Sequence, residues 1–299
     1  MSIHVAIGVF DGVHAGHRAV LASAIASARS DGGRVVALTF EPHPSRLLRP
    51  DQPVPLILNR AQKQARLSEA GADEVVHQAF DATHREIRAG DYVVWLRNRF
   101  PALRSVHVGE NFRYGKGREG DATRLATDGR SAGLAVGIVP PVRVDAEVTS
   151  SSRIRAALLA GEMAKANAMM VRPYEAEGVI QNGRQIGRTL GFPTLNLPWQ
   201  PELMPAQGVY AAEVVTPAGV AEPAVINWGV RPTVDAKPAL PLLEAHLLRP
   251  SGPAPVPGDR IRVRWLSWIR PERRFGDVTE LRDQVQADSA EAARRLGLA

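Results

Sequence analysis

"IGVFDGVHAGH", residues 7–17, decides how the first half of this chain is read. An apolar run from Ile3 leads into it, and Gly8, Gly12 and Gly16 surround His14 and His17. The run predicts a strand, with Gly8 letting the backbone turn tightly where it ends. Next comes "GHRAVLASAIASARSDGG" (16–33), with Val20, Ala24 and Ala28 at helical spacing and a Gly32-Gly33 stop. Strand, glycine turn and helix together open a βαβ unit.

The alternation continues outward. "RVVALTF" (34–40), "DEVVH" (73–77), "SVHVG" (105–109) and "GLAVGIV" (133–139) predict strands, while "NRAQKQARLSEAG" (59–71) and "DYVVWLRNRF" (91–100) predict helices. Such alternation argues for a parallel sheet with right-handed crossovers, whose ligands sit at the carboxyl ends of the strands. From about Val171 the texture changes. "YEAEGVI", "GVYAAEVV", "PAVINWGV", "LLEAHLL" and "RIRVRWLSWI" are short β-like runs between Gly/Pro turns, which predict a small antiparallel barrel or sandwich. The final "VTELRDQVQADSAEAARRLG" (278–297) predicts a helix with Leu281, Val285, Ala292 and Leu296 on its apolar face.

In the opening turn, His14 and His17 fall on one face as the helix begins, beside free amides that favour an anion. Imidazoles beside amides suit a phosphate that gains charge in a transition state. Two other readings stand beside this one. Histidines at i and i+3 without a third ligand make a poor zinc site, and two surface histidines in a turn need no function at all. Three more stretches join the pattern. "TFEPHPSRLL" (39–48) puts His43 at a strand end; "VGENFRYGKGREGD" (108–121) sets Asn111, Arg113, Lys116 and Arg118 among glycines; "TSSSRIRAALLAGE" (149–162) reads as a capped helix start with Arg153 and Arg155.

In the second half, "EGVIQNGRQIGRTLGFPTLNL" (177–197) is dense in glycine but lacks Walker spacing. Thr194 and Asn196 alternate on one strand face, so both oxygens reach the same cation. Glu244 lies among apolar neighbours in a strand, either salt-bridged or serving as a general base.

Bulk properties narrow the classes. The chain has 299 residues, 44% hydrophobic and 23% charged, as a soluble globular protein does. It contains no cysteine, so disulfides, thiolate nucleophiles and Cys-based zinc sites are excluded. No apolar run approaches a membrane span and no basic leader precedes the glycine motif, so a cytoplasmic location is expected. A formal net charge of +6 fits small anionic substrates. The arginines are scattered and show no basic stripe with interleaved aromatics, so nucleic acid is not expected as a partner. Self-association is left open.

In their order and spacing, "GVFDGVHAGH", "TFEPHP", "VGENFRYGKGREGD" and "SSSRIR" resemble the nucleotidyltransferase half of bacterial bifunctional riboflavin kinase/FMN adenylyltransferases (FAD synthetases). The second half, ending "IRPERRFGDVTELRDQVQAD", is similar to the riboflavin kinase domain of the same family. The resemblance implies an α/β Rossmann-like nucleotidyltransferase domain (1–170), then a small antiparallel β-barrel kinase domain (171–299) with a C-terminal helix. It implies that riboflavin is phosphorylated by ATP to FMN, and that FMN is adenylylated to FAD with release of pyrophosphate. The implied adenylyltransferase site comprises His14 and His17, with Gly8, Phe10, Asp11, Gly16, His43, Asn111, Arg113, Ser150, Ser151, Ser152 and Arg153 around ATP and FMN. The implied kinase site has Glu244 as base, Gly187, Arg188, Gly191, Phe192 and Pro193 around nucleotide and flavin, and Thr194 and Asn196 on Mg²⁺. The chain departs from the family pattern at Val9, Ser152 and Val171-Arg172, and most of all in one segment. "RPSGPAPVPGDR" (249–260) replaces an acidic stretch and keeps only its glycine, Gly258. An adenylyltransferase with a weak or lost kinase, and a flavin-binding regulator without turnover, are therefore the rival expectations.

Overall fold

The protein is described by a computed structural model covering residues 1–183, 191–230 and 241–298. It forms two compact units, Met1–Ser151 and Ser152–Ala299.

The first unit carries β1 (Ile3–Ile7), α1 (Ala15–Asp31), β2 (Arg34–Glu41), α2 (Ser45–Leu48), α3 (Arg60–Glu69), β3 (Glu74–Ala79), α4 (Ala82–Arg85), α5 (Tyr92–Arg99) and β4 (Leu103–Gly109). A short hairpin, β5 (Arg113–Tyr114) and β6 (Gly120–Asp121), leads to α6 (Ala122–Ser131) and β7 (Ala135–Val139), with a second hairpin at β8 (Arg143–Val144) and β9 (Glu147–Val148). The main sheet runs β3-β2-β1-β4-β7, every pair parallel. Its order reverses between β1 and β4, and the carboxyl ends of strands at such a reversal form the ligand crevice of open α/β sheets. The quoted stretch leaves β1 at this point. As the spacing predicts, Val20, Ala24 and Ala28 of α1 are buried, together with Leu21, and the helix stops on Gly32 at φ 68°.

Beneath α1, polar side chains from β1 and β4 form one hydrogen-bond chain. His4 Nε2 donates to Asp31 (3.0 Å), and His4 Nδ1 pairs with Ser105 Oγ (2.7 Å). Ser105 Oγ also pairs with His107 Nε2 (2.7 Å), and His107 Nδ1 with Ser23 Oγ (2.8 Å). One proton assignment satisfies every member, with each ring donating at Nε2 and accepting at Nδ1. Burial, and then the neighbouring His4, push His107 down to about 4. A histidine near 6.5 when unfolded and near 4 when folded adds stability that is present above pH 6.5 and is lost as pH falls towards 4. We expect about 2 kcal/mol of such loss from this residue between pH 7 and pH 5. Faster amide exchange in β1 and β4 at the lower pH, beyond the intrinsic change, checks it.

The second unit contains α7 (Ser151–Leu159, whose first residue closes the first unit), α8 (Met163–Met170), β10 (Tyr174–Val179), β11 (Leu195–Pro198), β12 (Gly208–Val215), β13 (Ala221–Val230), β14 (Pro241–Leu247), β15 (Arg260–Pro271) and α9 (Val278–Arg295). Its antiparallel sheet runs β10-β15-β12-β13-β14-β11. A bridge between Gln181, just past β10, and Asn196 of β11 brings the two edges together into a nearly closed barrel. Tyr174, Tyr210, Trp228 and Trp265 fill its core. The strand runs read from the sequence all lie in this barrel.

The C-terminal helix is docked by a pair that its apolar pattern does not disclose. Leu281 and Val285 are only half-buried, whereas Asp288 is buried and accepts from Arg270 Nε (2.8 Å) and Nη2 (2.7 Å) and from Gln284 Nε2 (2.8 Å). Removing one partner of a buried, bidentate ion pair leaves the other charge stranded. Asp288→Ala is expected to cost ~3–5 kcal/mol, read as a lowered urea midpoint with the slope unchanged.

Candidate active sites

In the first unit, the turn after β1 carries backbone strain at residues other than the expected one. Phe10 (φ 54°) and Val13 (φ 39°) adopt left-handed conformations beside Gly12 (φ 87°), while Gly8 does not. Gly8 is needed for space, since a Cβ there would lie 3.0 Å from the Phe10 ring. The ring of Phe10 is 0% exposed and meets His17 edge-on at 5.2 Å, so it fixes the imidazole from below. Asp11 is 2% exposed, and its carboxylate accepts from the amides of Ile57 (3.0 Å) and Leu58 (3.2 Å). The Thr39 hydroxyl donates to the Val9 carbonyl (2.9 Å) and the Ser151 hydroxyl to the Asp11 carbonyl (2.8 Å). The strained loop is thus held from three directions.

His14 caps α1. Its Nδ1 accepts from the backbone N–H of His17 (3.3 Å), and the two rings stack at 3.6 Å. With Nδ1 accepting, a neutral His14 carries its proton on Nε2 and presents it as a donor. Gly16 lies against that ring, where a Cβ would come within 3.1 Å of it. Burial pushes His14 down to about 4, and His17 well below the usual imidazole range, the latter also through His14 and Lys63. Both rings are therefore neutral donors at pH 7, stacked at a helix start. Such a pair can hold phosphate oxygens without taking up a proton. A zinc reading gains nothing, for no cluster of three metal-ligating side chains occurs among the described residues.

Two of the other motifs follow strands of the main sheet, and a third follows β9 of the second hairpin. His43 follows β2, with Nδ1 accepting from the Ser45 amide (3.1 Å) and paired with the Ser45 hydroxyl (2.8 Å). Asn111 and Arg113 follow β4, both exposed, and Arg113 Nη1 donates to the Phe112 carbonyl (3.1 Å). Ser150 and Ser151 lie at the start of α7, which continues through Ser152 and Arg153.

In the second unit, strand register assembles the site. Asn196 of β11 pairs directly with Glu244 of β14, which pairs in turn with Asn227 of β13. Leu243 and Ala245 point into the barrel core, so Glu244 faces outward in a polar row with the two asparagines. Asn227 and His246 are not signalled by the sequence. His246 Nδ1 pairs with the Pro193 carbonyl (2.9 Å), and its ring meets Phe192 at 5.4 Å, which ties the Pro193-Thr194 segment to β14. Gly191 is exposed at φ 87°. Gly187 and Arg188 lie outside the described residues.

The Asn196 amide lies directly over the backbone of Gly183, where a Cβ would be 2.3 Å from its nitrogen. Gly183→Ala must displace Asn196. We expect ~10-fold or greater loss of any cation-dependent activity of this unit, checked by the magnesium concentration needed for half-maximal rate. Thr194 and Asn196 offer a hydroxyl and an amide oxygen, which are hard, neutral donors. Two such ligands fit Mg²⁺ that is otherwise held by phosphates and water.

Comparison with known proteins follows the same division. A FAD synthetase family model matches residues 2–153 and a riboflavin kinase model matches residues 170–296. The bifunctional riboflavin kinase/FMN adenylyltransferase of Escherichia coli (strain K12) is 34% identical over 293 residues, covering 98% of this chain and 92% of the relative. The protein of the same description from Bacillus subtilis (strain 168) is 31% identical over 297 residues, covering 97% of this chain and 91% of the relative. A solved structure described as a macrolide-efflux protein from Streptococcus pneumoniae aligns with a TM-score of 0.86 at 28% identity, covering 97% of this chain and 94% of that one. Among the described residues, no helix is long and apolar enough to cross a membrane.

Proposed function

This chain belongs to the bifunctional riboflavin kinase/FMN adenylyltransferase family, and on that premise we propose that it makes FMN from riboflavin and then FAD from FMN. Residues 1–170 would carry adenylyl transfer and residues 171–299 phosphorylation. An ATP-consuming enzyme of this kind works in the cytoplasm on small-molecule substrates. The observation that carries the reading is the pairing of two separate devices. A stacked, neutral His14-His17 couple sits at the topological reversal of one unit, and an Asn196–Glu244–Asn227 row lies on the barrel of the other.

In the first reaction, Glu244 accepts or orients the proton of the ribityl hydroxyl, whose oxygen then attacks the γ-phosphorus of ATP; the bond from that phosphorus to the bridging oxygen of the β-phosphate breaks, and ADP leaves. Thr194 and Asn196 would hold Mg²⁺, which offsets charge on the phosphates. In the second, an FMN phosphate oxygen attacks the α-phosphorus of ATP, the bond to the β-phosphate breaks, and pyrophosphate leaves. His14 and His17 donate hydrogen bonds to the oxygens that gain charge. His43, Asn111, Arg113, Ser150 and Ser151 bind the substrates around them. Incubation with riboflavin, ATP and Mg²⁺, followed by chromatography of the flavins, tests the whole scheme. FAD from riboflavin is expected. FAD only from added FMN indicates a lost kinase, and bound flavin without product indicates a regulator.

A further inference from the structure

Lys63 is 5% exposed, while Lys116 and Lys165 extend into solvent. It stands in the first turn of α3, and two devices set the position of that turn. Asn59 and Gln62 form a reciprocal capping box, the Gln62 amide donating to Asn59 Oδ1 (2.9 Å) and the Asn59 amide to Gln62 Oε1 (3.1 Å). Just before it, the amides of Ile57 and Leu58 donate to the Asp11 carboxylate. Asp11 belongs to the turn that carries His14 and His17. One carboxylate therefore holds both the histidine pair and the segment that delivers the lysine.

The ammonium is placed there at a cost in desolvation that its partner repays poorly. Among the described residues its ion partner is Glu41 at the end of β2, at 3.9 Å, beyond hydrogen-bonding distance and partly open to water. Burial lowers the pKa of Lys63, Glu41 and Asp11 raise it, and Arg60 lowers it. Nearby, His17 Nδ1 and both ring nitrogens of His77 are buried with no hydrogen-bond partner among the described residues. A buried cation with a distant counter-ion, beside unpartnered nitrogens, marks a place prepared for an anion.

We propose that the Lys63 ammonium contacts the reacting phosphates of the adenylyl-transfer site and supplies the positive charge that its imidazoles do not. The proposal rests on the reading of the His14-His17 turn as that site. When the FMN oxygen bonds to the α-phosphorus and pyrophosphate departs, charge builds on the non-bridging oxygens. Two neutral imidazoles share that charge by hydrogen bonding, and a fixed cation offsets it outright. No proton need move.

The chain's lysines are only Lys63, Lys116, Lys165 and Lys237, so ε-¹³C-lysine labelling of the full-length enzyme gives a readable spectrum. The Lys63 signal, assigned by its absence in Lys63→Arg, should shift on saturation with Mg²⁺ and α,β-methylene-ATP. In parallel, Lys63→Gln should lower kcat for FAD formation ~100-fold with KM for ATP within ~3-fold, Lys63→Arg should restore much of that rate, and FMN formation should stay unchanged. An unmoved Lys63 signal overturns the proposal, even if Lys63→Gln fails to fold. So does a normal rate in Lys63→Gln while His17→Ala is inactive. Retained activity in His17→Ala overturns the underlying reading of the turn instead.

Discussion

Glu244→Gln stops FMN formation and leaves FAD formation from added FMN at the wild-type rate. The glutamine keeps the size of the side chain and the register against Asn196 and Asn227, so the barrel loses only a carboxylate. The ribityl hydroxyl is a poor nucleophile while it keeps its proton, and a positioned base contributes ~10²–10⁴ to such a transfer. We expect a fall of ~10³-fold in the riboflavin-to-FMN rate. The FAD synthetase match falls on residues 2–153, which have their own sheet and core, and the nucleophile of adenylyl transfer is an already ionised phosphate. Flavin chromatography with riboflavin and with FMN as alternative substrates reads both rates in one preparation. Equal loss of the two would mean that the carboxylate serves stability, with no role specific to phosphorylation.

His14→Ala produces the opposite pattern. It removes a neutral Nε2–H donor, the stacking partner of His17 and the acceptor for the His17 amide. Loss of one preorganised donor to a developing oxyanion costs ~10²–10³ in kcat, or ~2.7–4 kcal/mol of transition-state stabilisation. The lost cap adds ~1 kcal/mol of helix destabilisation, which a melting curve separates from the catalytic effect. FMN formation should be unaltered. The pH dependence follows from the same geometry. Because burial holds His14 at about 4, it stays neutral throughout the physiological range, and the FAD-forming rate should show no inflection near 6.5 from this group. An inflection there would mean that the imidazole is solvated and titrates freely.

Much of this arrangement is legible in the chain because it is local. Val20, Ala24 and Ala28 report helix α1, and the alternation of runs reports the parallel sheet. The order of the glycine-histidine, Pro-Thr-Leu-Asn and terminal helical stretches reports both units. What the sequence conceals depends on register and on distant pairing. No periodicity announces that Asn227 and His246 stand beside Asn196, Glu244 and Pro193, since strand pairing decides it. His4, Ser105 and His107 read as unrelated polar residues until β1 and β4 lie side by side. Gly8 invites a turn assignment, yet the left-handed residues are Phe10 and Val13, which sterics disfavour and only the surrounding hydrogen bonds sustain. Lys63 and Asp288 look like surface charges on amphipathic helices, and only packing shows them buried.

This enzyme is expected to break ATP at two different bonds, one in each unit. Riboflavin is supplied with ATP labelled with ³²P at either the γ or the α position, and the FAD is isolated. Label is expected in FAD from both forms, with the γ label passing through FMN and the α label absent from FMN. FAD lacking the γ label, or FMN carrying the α label, would contradict it.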